Sequence, residues 1–160
     1  MKKQASMDEK IKRLEFDVCS AQRYASTGKI EEWVHKYITT GQWANPGLAK
    51  GLKLQQRWWN GPVEVHLANL SRVVGPEEGM EYQVSADYWI GRIRKMAQSF
   101  DDPLSIPPLL VEYRSGELSI RDGNTRHEAM SSLGWEKCWV IIWYNSENEY
   151  RQHSSLLLKK

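Results

Sequence analysis

Apolar residues recur at helical spacing in the first third of the chain. A capping-box pattern that begins at Ser6 opens a first amphipathic stretch, whose apolar positions are Ile11, Leu14, Val18, Ala21 and Ala25. A second apolar stripe predicts a helix over residues 30–38, and Asn45 followed by proline suits the start of a short third helix. These patterns predict a helical extension over residues 1–60.

The pattern changes after residue 60. Alternating apolar and polar residues predict a strand at 63–67, and an amphipathic helix follows with Ser85 as its cap. Three further strands are predicted at residues 109–113, 117–121 and 138–144. The last of these is apolar throughout, which is typical of a strand that is buried on both faces.

A helix over residues 124–133 separates the last two predicted strands, and Gly134 ends it. We therefore predict an α/β (or α+β) domain with a small mixed sheet over residues 61–145. Residues 146–160 are predicted to form a polar, peripheral C-terminal tail, of which residues 156–158 could dock on the domain.

Composition narrows the range of functions. The 160 residues, 41% of them hydrophobic, suit one compact domain. The net charge is +2 and the two signs are interspersed, so charge gives no support to DNA binding. No apolar stretch approaches the roughly 20 residues needed to span a bilayer, and the first residues lack an apolar signal segment. We therefore expect a cytoplasmic protein with no membrane partner, whose Cys19 and Cys138 are separate, reduced thiols.

The aromatic pair Trp58 and Trp59 precedes the first predicted strand. We predict that both side chains lie at the junction between the helical extension and the sheet.

The sequence RDGNTRHEAM, residues 121–130, is the most informative motif. A strand, a tight turn, a helix and a strand follow one another here, which predicts two neighbouring parallel strands joined by a right-handed crossover. Ligands of such units bind at the N-terminus of the helix, beyond the carboxyl end of the first strand. The turn from Asp122 to Arg126 occupies that place.

Arg126 shares one helix face with Ala129, Met130 and Leu133, and this apolar face should point to the core. A partly buried guanidinium needs a partner. A phosphate would meet the backbone N–H groups, the helix dipole and Arg126 together. The alternative is that Arg126 pairs with Asp122 or Glu128 and ties the turn to the helix.

The segment over residues 63–144 resembles the ParB/sulfiredoxin family, with DGNTRHEA between the second hairpin strand and the helix. The resemblance implies that nucleotide phosphates bind at this helix N-terminus with the help of Arg126. The implied ligand contacts are Asp122, Gly123, Asn124, Thr125, Arg126 and His127, although the residues by themselves favour an exposed helix position for His127.

Differences within the turn separate the branches of that family. Sulfiredoxins carry a reactive cysteine where this chain has Asn124, so the resemblance does not imply sulfiredoxin activity. ParB proteins have a Gly-Glu-Arg-Arg turn and bind CTP. Free-serine kinases have Asp-Gly-His-His-Arg, which this chain matches at Asp122, Gly123 and Arg126.

The kinase branch also carries an acidic residue in the loop after the first strand, where Glu78 and then Glu77 are the matching positions. The resemblance implies a general-base role for one of them, and a solvated loop is the alternative. The implied ligand is ATP, ADP or CTP with Mg²⁺, and the implied activity is phosphoryl transfer to a small molecule or nucleotide hydrolysis. The alternative function is a non-enzymatic ParB-like module that binds DNA or a protein.

Overall fold

The protein has a mixed α+β fold, which a computed structural model describes for residues 15–41 and 44–158. Its described helices are α1 (Val18–Ser26), α2 (Ile30–Ile38), α3 (Pro46–Leu52), α4 (Ala86–Ser99), α5 (Asn124–Ser132) and α6 (Glu147–Leu158). Its described strands are β1 (Trp58–His66), β2 (Leu70–Arg72), β3 (Val74–Gly75), β4 (Tyr82–Gln83), β5 (Leu109–Arg114), β6 (Glu117–Asp122) and β7 (Lys137–Tyr144).

Local capping explains where several helices begin. The side chains of Asn45 and Ser85 accept hydrogen bonds from the first turns of α3 and α4, as predicted. Helix α2 spans the predicted residues 30–38. Helix α1 is capped by Asp17, whose carboxylate accepts a bond from the Ser20 N–H at 2.8 Å, and the cap predicted at Ser6 lies outside the described residues.

The main sheet has five strands in the order β1-β7-β5-β6-β2. β5 pairs with β7 in parallel and with β6 in antiparallel orientation. Consequently β6 and β7 run in opposite directions and β5 lies between them, so the predicted parallel crossover through α5 is wrong. The apolar sequence of β7 fits a position beside β5 as well as beside β6, because a strand that is buried on both faces has no residue pattern that identifies its neighbours.

The side chains of β5 alternate between two cores on opposite faces of the sheet. Leu110 packs with Ile141, Trp143 and the apolar faces of α1–α3. Leu109 and Val111 pack on the other side, in a cluster that includes Met130 of α5. The chain thus forms three layers, with α1–α3 on one face of the sheet and α4–α6 on the other.

The predicted domain boundary at residue 60 falls inside β1. Trp59 packs in the core shared with α1–α3, as predicted for the junction, but Trp58 points to the opposite cluster. Successive strand residues point to opposite faces, so two adjacent tryptophans cannot both face the helices. The pairing of β1 with β7 shifts at a bulge between Asn60 and Val63. This bulge requires a glycine at position 61, because Gly61 has a φ of 121° and a Cβ there would lie 2.7 Å from the Val140 carbonyl oxygen.

The C-terminal segment forms a docked helix rather than a peripheral tail. His153 on α6 is buried, and one of its ring nitrogens lies 2.6 Å from the Tyr144 hydroxyl. Tyr150 and Leu157 pack against the same cluster of the sheet. Within the described ranges, the helices are too short or too polar to cross a membrane.

Candidate functional site at the N-terminus of helix α5

The turn between β6 and α5 depends on Gly123. Its φ of 107° lies in the left-handed region, and no side chain caps the helix that it precedes. A Cβ at this position would fall 2.5 Å from a methyl carbon of Leu109 and 2.6 Å from Arg126 Nη2. Only glycine fits this close approach without strain. The first N–H groups of α5 lack intrahelical acceptors, as at any helix start.

Asn124, the first residue of α5, acts as a structural tie. Its Oδ1 accepts hydrogen bonds from the backbone N–H groups of Val73 and Val74, at 2.8 and 3.3 Å. Its Nδ2 donates to the Ile120 carbonyl at 3.1 Å. The side chain is buried, and its bonds fasten the segment after β2 to the turn. Asn124 therefore fixes the turn, and its amide groups are already occupied by protein atoms.

Arg126 lies beneath the turn and is also buried. Its Nη1 donates to the Tyr37 hydroxyl at 2.6 Å and to the Pro107 carbonyl at 3.2 Å. Its Nη2 donates to Asp122 Oδ2 at 2.9 Å. The sequence left open whether Arg126 would pair with Asp122 or with Glu128, and the structure shows the pair with Asp122. Because Tyr37 lies on α2, the arginine links the two helical layers.

Electrostatics keep this buried arginine charged. Burial lowers the pKa of Arg126, but the interactions with Tyr37 and Asp122 outweigh that effect, so the pKa is raised above its ordinary value. The guanidinium carbon also lies 5.6 Å from the centre of the Tyr37 ring. A permanent positive charge is therefore fixed within the turn, with one carboxylate beside it. The predicted helix face was wrong at Leu133, which is 42% exposed, while Ala129 and Met130 are buried.

A second group of charges lies beside Asp122 on the sheet. Arg121 Nη1 binds both carboxylate oxygens of Glu81 at 3.0 Å, and its Nε lies 3.3 Å from Glu112 Oε1. Glu112 also accepts a hydrogen bond from Asn145 at 3.0 Å. One arginine thus serves two glutamates, so the formal charge of this group is negative and it adds no positive field at the turn.

His127 packs toward the sheet side of α5. Its Nε2 lies 2.9 Å from the Leu67 carbonyl oxygen, and it must carry the proton to donate there. Its Nδ1 is buried and has no hydrogen-bond partner among the described residues. The two sequence-based alternatives for His127 were an exposed helix residue and a ligand contact at the turn. Its side chain is neither exposed nor directed to the α5 turn.

The two glutamates predicted for catalysis have different surroundings. Arg72 binds Glu77 through a short bidentate contact and lies 3.5 Å from Glu128 on α5. The hydrogen bond from Arg72 lowers the pKa of Glu77, which makes this carboxylate a weaker base. Glu78 is exposed. The loop that carries both glutamates begins at the backbone groups held by Asn124, which joins the loop to the turn.

Sequence reasoning missed Tyr37, Pro107 and Arg72. Tyr37 was predicted only to lie within the helix over residues 30–38, and no local signal shows that its hydroxyl reaches a guanidinium 89 residues away. Arg72 lies at the end of a three-residue strand and has no motif around it. The one available sign of a distant acceptor was that a buried guanidinium has more N–H donors than one neighbouring carboxylate can satisfy.

The chemistry of the side chains does not favour a protein-bound metal. Asp122, the acidic residue at the turn, is engaged by Arg126. In the described part of the chain, no three His, Cys, Asp or Glu side chains form a group that could hold a metal ion. Mg²⁺ would therefore have to be bound chiefly by the phosphates of a ligand.

Comparison with known proteins adds no further constraint. No family model, no curated protein and no solved structure matches this chain.

Proposed function

We propose that the turn from Gly123 to Arg126 binds the phosphate of a nucleotide, or of another phosphorylated ligand, in the cytoplasm. The main supporting observation is that the N-terminus of α5 has no side-chain cap and that a buried, charged guanidinium lies directly beneath it. The helix dipole and the N–H groups favour an anion at that position. The resemblance of DGNTRHEA to the ParB/sulfiredoxin family supports the same placement.

In this proposal the backbone of the first turn binds the phosphate, and Arg126 has a supporting role. Because the Nη atoms of Arg126 already donate to protein oxygens, the phosphate would be bound by the backbone N–H groups of the first turn and by the Thr125 hydroxyl. Arg126 would hold the turn in shape and add positive charge from below. The neighbouring Asp122 offsets part of that charge, so the backbone N–H groups and the helix dipole would supply most of the attraction.

The test is a thermal-shift panel with ATP, ADP, CTP, GTP and inorganic phosphate, each with and without Mg²⁺. A ligand present at 100 times its Kd adds about 2.7 kcal/mol to the free energy of unfolding. We expect a shift for at least one nucleotide. The proposal fails if no phosphate compound shifts the transition.

Thr125 supplies a matched pair of variants, because it lies in the first turn and is only partly buried. Thr125→Asp places a carboxylate where the phosphate would bind, so it should abolish the ligand-induced shift. Thr125→Asn has a similar size and no charge, and should retain most of the shift. Equal shifts in both variants would mean that the ligand binds elsewhere.

Catalysis is a further part of this proposal, and Glu78 is its general-base candidate because Glu77 is bound by Arg72. If the bound nucleotide is turned over, Glu78→Gln should reduce the rate by roughly 10²–10⁴-fold, the usual contribution of a general base, and leave binding intact. Turnover that is unaffected by this substitution would remove Glu78 from the mechanism. The alternative of a DNA-binding module predicts retention on DNA that weakens steeply with salt.

A further inference from the structure

Helix α6 is fastened to the sheet through buried polar contacts. His153 is only 9% exposed, and its Nδ1 lies 2.6 Å from the Tyr144 hydroxyl on β7. Asn60 of β1 donates from Nδ2 to the Ser154 hydroxyl on α6 at 3.2 Å. The centre of the Tyr113 ring on β5 lies 4.6 Å from the centre of the His153 ring. Three adjacent strands of the sheet therefore contact the same turn of α6.

The direction of the hydrogen bond between Tyr144 and His153 follows from its surroundings. Burial raises the pKa of Tyr144 to about 12, so the hydroxyl stays protonated at and below neutral pH. Hydrogen bonds with Asn60 and Ser154 lower the same pKa in part, which is the effect of donors to the hydroxyl oxygen. The hydrogen of this hydroxyl therefore points to His153 Nδ1, which accepts it and carries no proton of its own.

The sheet presents titratable groups to α6 that are neutral in mild acid. The cluster between the sheet and α6 contains Cys138, Tyr113, Tyr144 and Tyr150, and thiols and phenols carry no charge near pH 6. The charged residues of β1, β5 and β7 lie away from this cluster. They are the exposed Glu64, His66, Arg114 and Lys137, and Glu112, which faces the other side of the sheet.

The charged side chains of α6 itself have partners within the helix or just before it. Glu149, one turn before His153, accepts a hydrogen bond from the Ser146 hydroxyl at 3.3 Å. Glu147 and Arg151 pair with each other at 2.7 Å on the exposed side.

Protonation of His153 opposes the docking of α6. A proton on Nδ1 removes the acceptor of the Tyr144 hydroxyl, and burial disfavours the charged imidazole. When α6 is undocked, the imidazole takes up a proton with the ordinary histidine pKa of about 6.5. Because the undocked state binds more protons, docking weakens as the pH falls below about 6.5.

We propose that α6 is a pH-sensitive latch, which is docked at neutral pH and is released from the sheet in mild acid when His153 becomes protonated. Release would expose the sheet face that carries Trp58, Tyr113 and Tyr144. If the docked state excludes the proton, the docking equilibrium constant falls about tenfold between pH 7.5 and 5.5. The latch does not involve the α5 turn, so this inference does not depend on phosphate binding.

The test is hydrogen exchange of the full chain, measured by mass spectrometry from pH 5.5 to 7.5 and corrected for the intrinsic pH dependence of amide exchange. The protection of α6 should fall about tenfold towards pH 5.5, while α2, β5 and β7 keep theirs. His153→Gln has no ring to protonate and should give an α6 protection that does not change with pH. His66→Gln is the matched control, because His66 is exposed, and it should retain the tenfold change.

Tyr144→Phe is a second variant, which decides the question if His153→Gln does not fold. It should lower the protection of α6 at pH 7.5 and reduce its change with pH, because a proton on His153 Nδ1 then displaces no hydrogen bond. The proposal is overturned if the protection of α6 in the wild type does not depend on pH, or if either variant keeps the full tenfold change. It is also overturned if β5 and β7 lose protection together with α6, because the chain then unfolds as a whole in acid.

Discussion

The hydroxyl of Tyr37 offers a sharp test of the link between the two helical layers. It accepts a buried hydrogen bond from Arg126 Nη1 at 2.6 Å, and Tyr37→Phe removes only that oxygen. A hydrogen bond to a charged group contributes about 1.5–3 kcal/mol. For a chain of this size, each kcal/mol shifts Tm by about 2–4 °C. We therefore expect a loss of about 2 kcal/mol, equivalent to roughly 4–8 °C, in urea and thermal unfolding.

Tyr24→Phe is the matched control for this experiment. The Tyr24 hydroxyl also accepts from a cation, Lys36 Nζ at 3.1 Å, but this contact is exposed. Water replaces such a bond when it is lost, so the unfolding midpoint should stay close to that of the wild type. If Tyr37→Phe shifts the midpoint no more than Tyr24→Phe does, Arg126 does not depend on Tyr37 for its stability in the core, and the reasoning is refuted.

Three other outcomes follow from single contacts. Asn124→Ala should cost about 1–3 kcal/mol in urea unfolding, because it leaves two backbone N–H groups without their acceptor; an unchanged midpoint would contradict the structural role of that side chain. Burial raises the pKa of Cys138 to about 12, so a thiol reagent at pH 8 should modify the exposed Cys19 quickly and Cys138 only on unfolding; two fast thiols would contradict this burial. Arg72 lowers the pKa of Glu77, so the contact stabilises the fold above the ordinary glutamate pKa of about 4.3. That contribution is lost as the pH falls through the folded pKa, and the small deficit of Glu77→Gln should shrink with it; a deficit that persists in acid would have another cause.

Local signals predicted helices α2 to α5 and strands β5 to β7, but they missed α6 and the short strands β2 to β4. The predicted elements are those whose residues close in sequence specify them. The stripe of α2 and the cap at Asn45 are of this kind. Pairing across the sheet is not local. Nothing in residues 117–144 shows that β5 separates β6 from β7, since that order depends on which strands present complementary apolar faces at a distance.

The candidate site was predicted only in part, because some of its contacts join neighbours in sequence and others join distant segments. The turn at Gly123 and the pairing of Arg126 with Asp122 involve neighbours in sequence, so the motif indicated both. The acceptor on α2 and the binding of Glu77 by Arg72 arise only when distant segments pack together. Sequence reasoning could show that Arg126 needed partners and could name Asp122 as a candidate, but it could not identify Tyr37 or Pro107.

The position of β7 in the sheet has a consequence for synthesis of the protein on the ribosome. Helix α2 packs against Ile141 and Trp143, which follow it by roughly 100 residues. At about 5–20 residues per second, the apolar face of α2 must wait about 5–20 s for its binding surface to be made. β1 waits as well, since β7 is its partner in the sheet. We therefore expect nascent chains that end before residue 137 to be protease-sensitive and to bind chaperones, and chains that extend past residue 144 and out of the exit tunnel to become resistant.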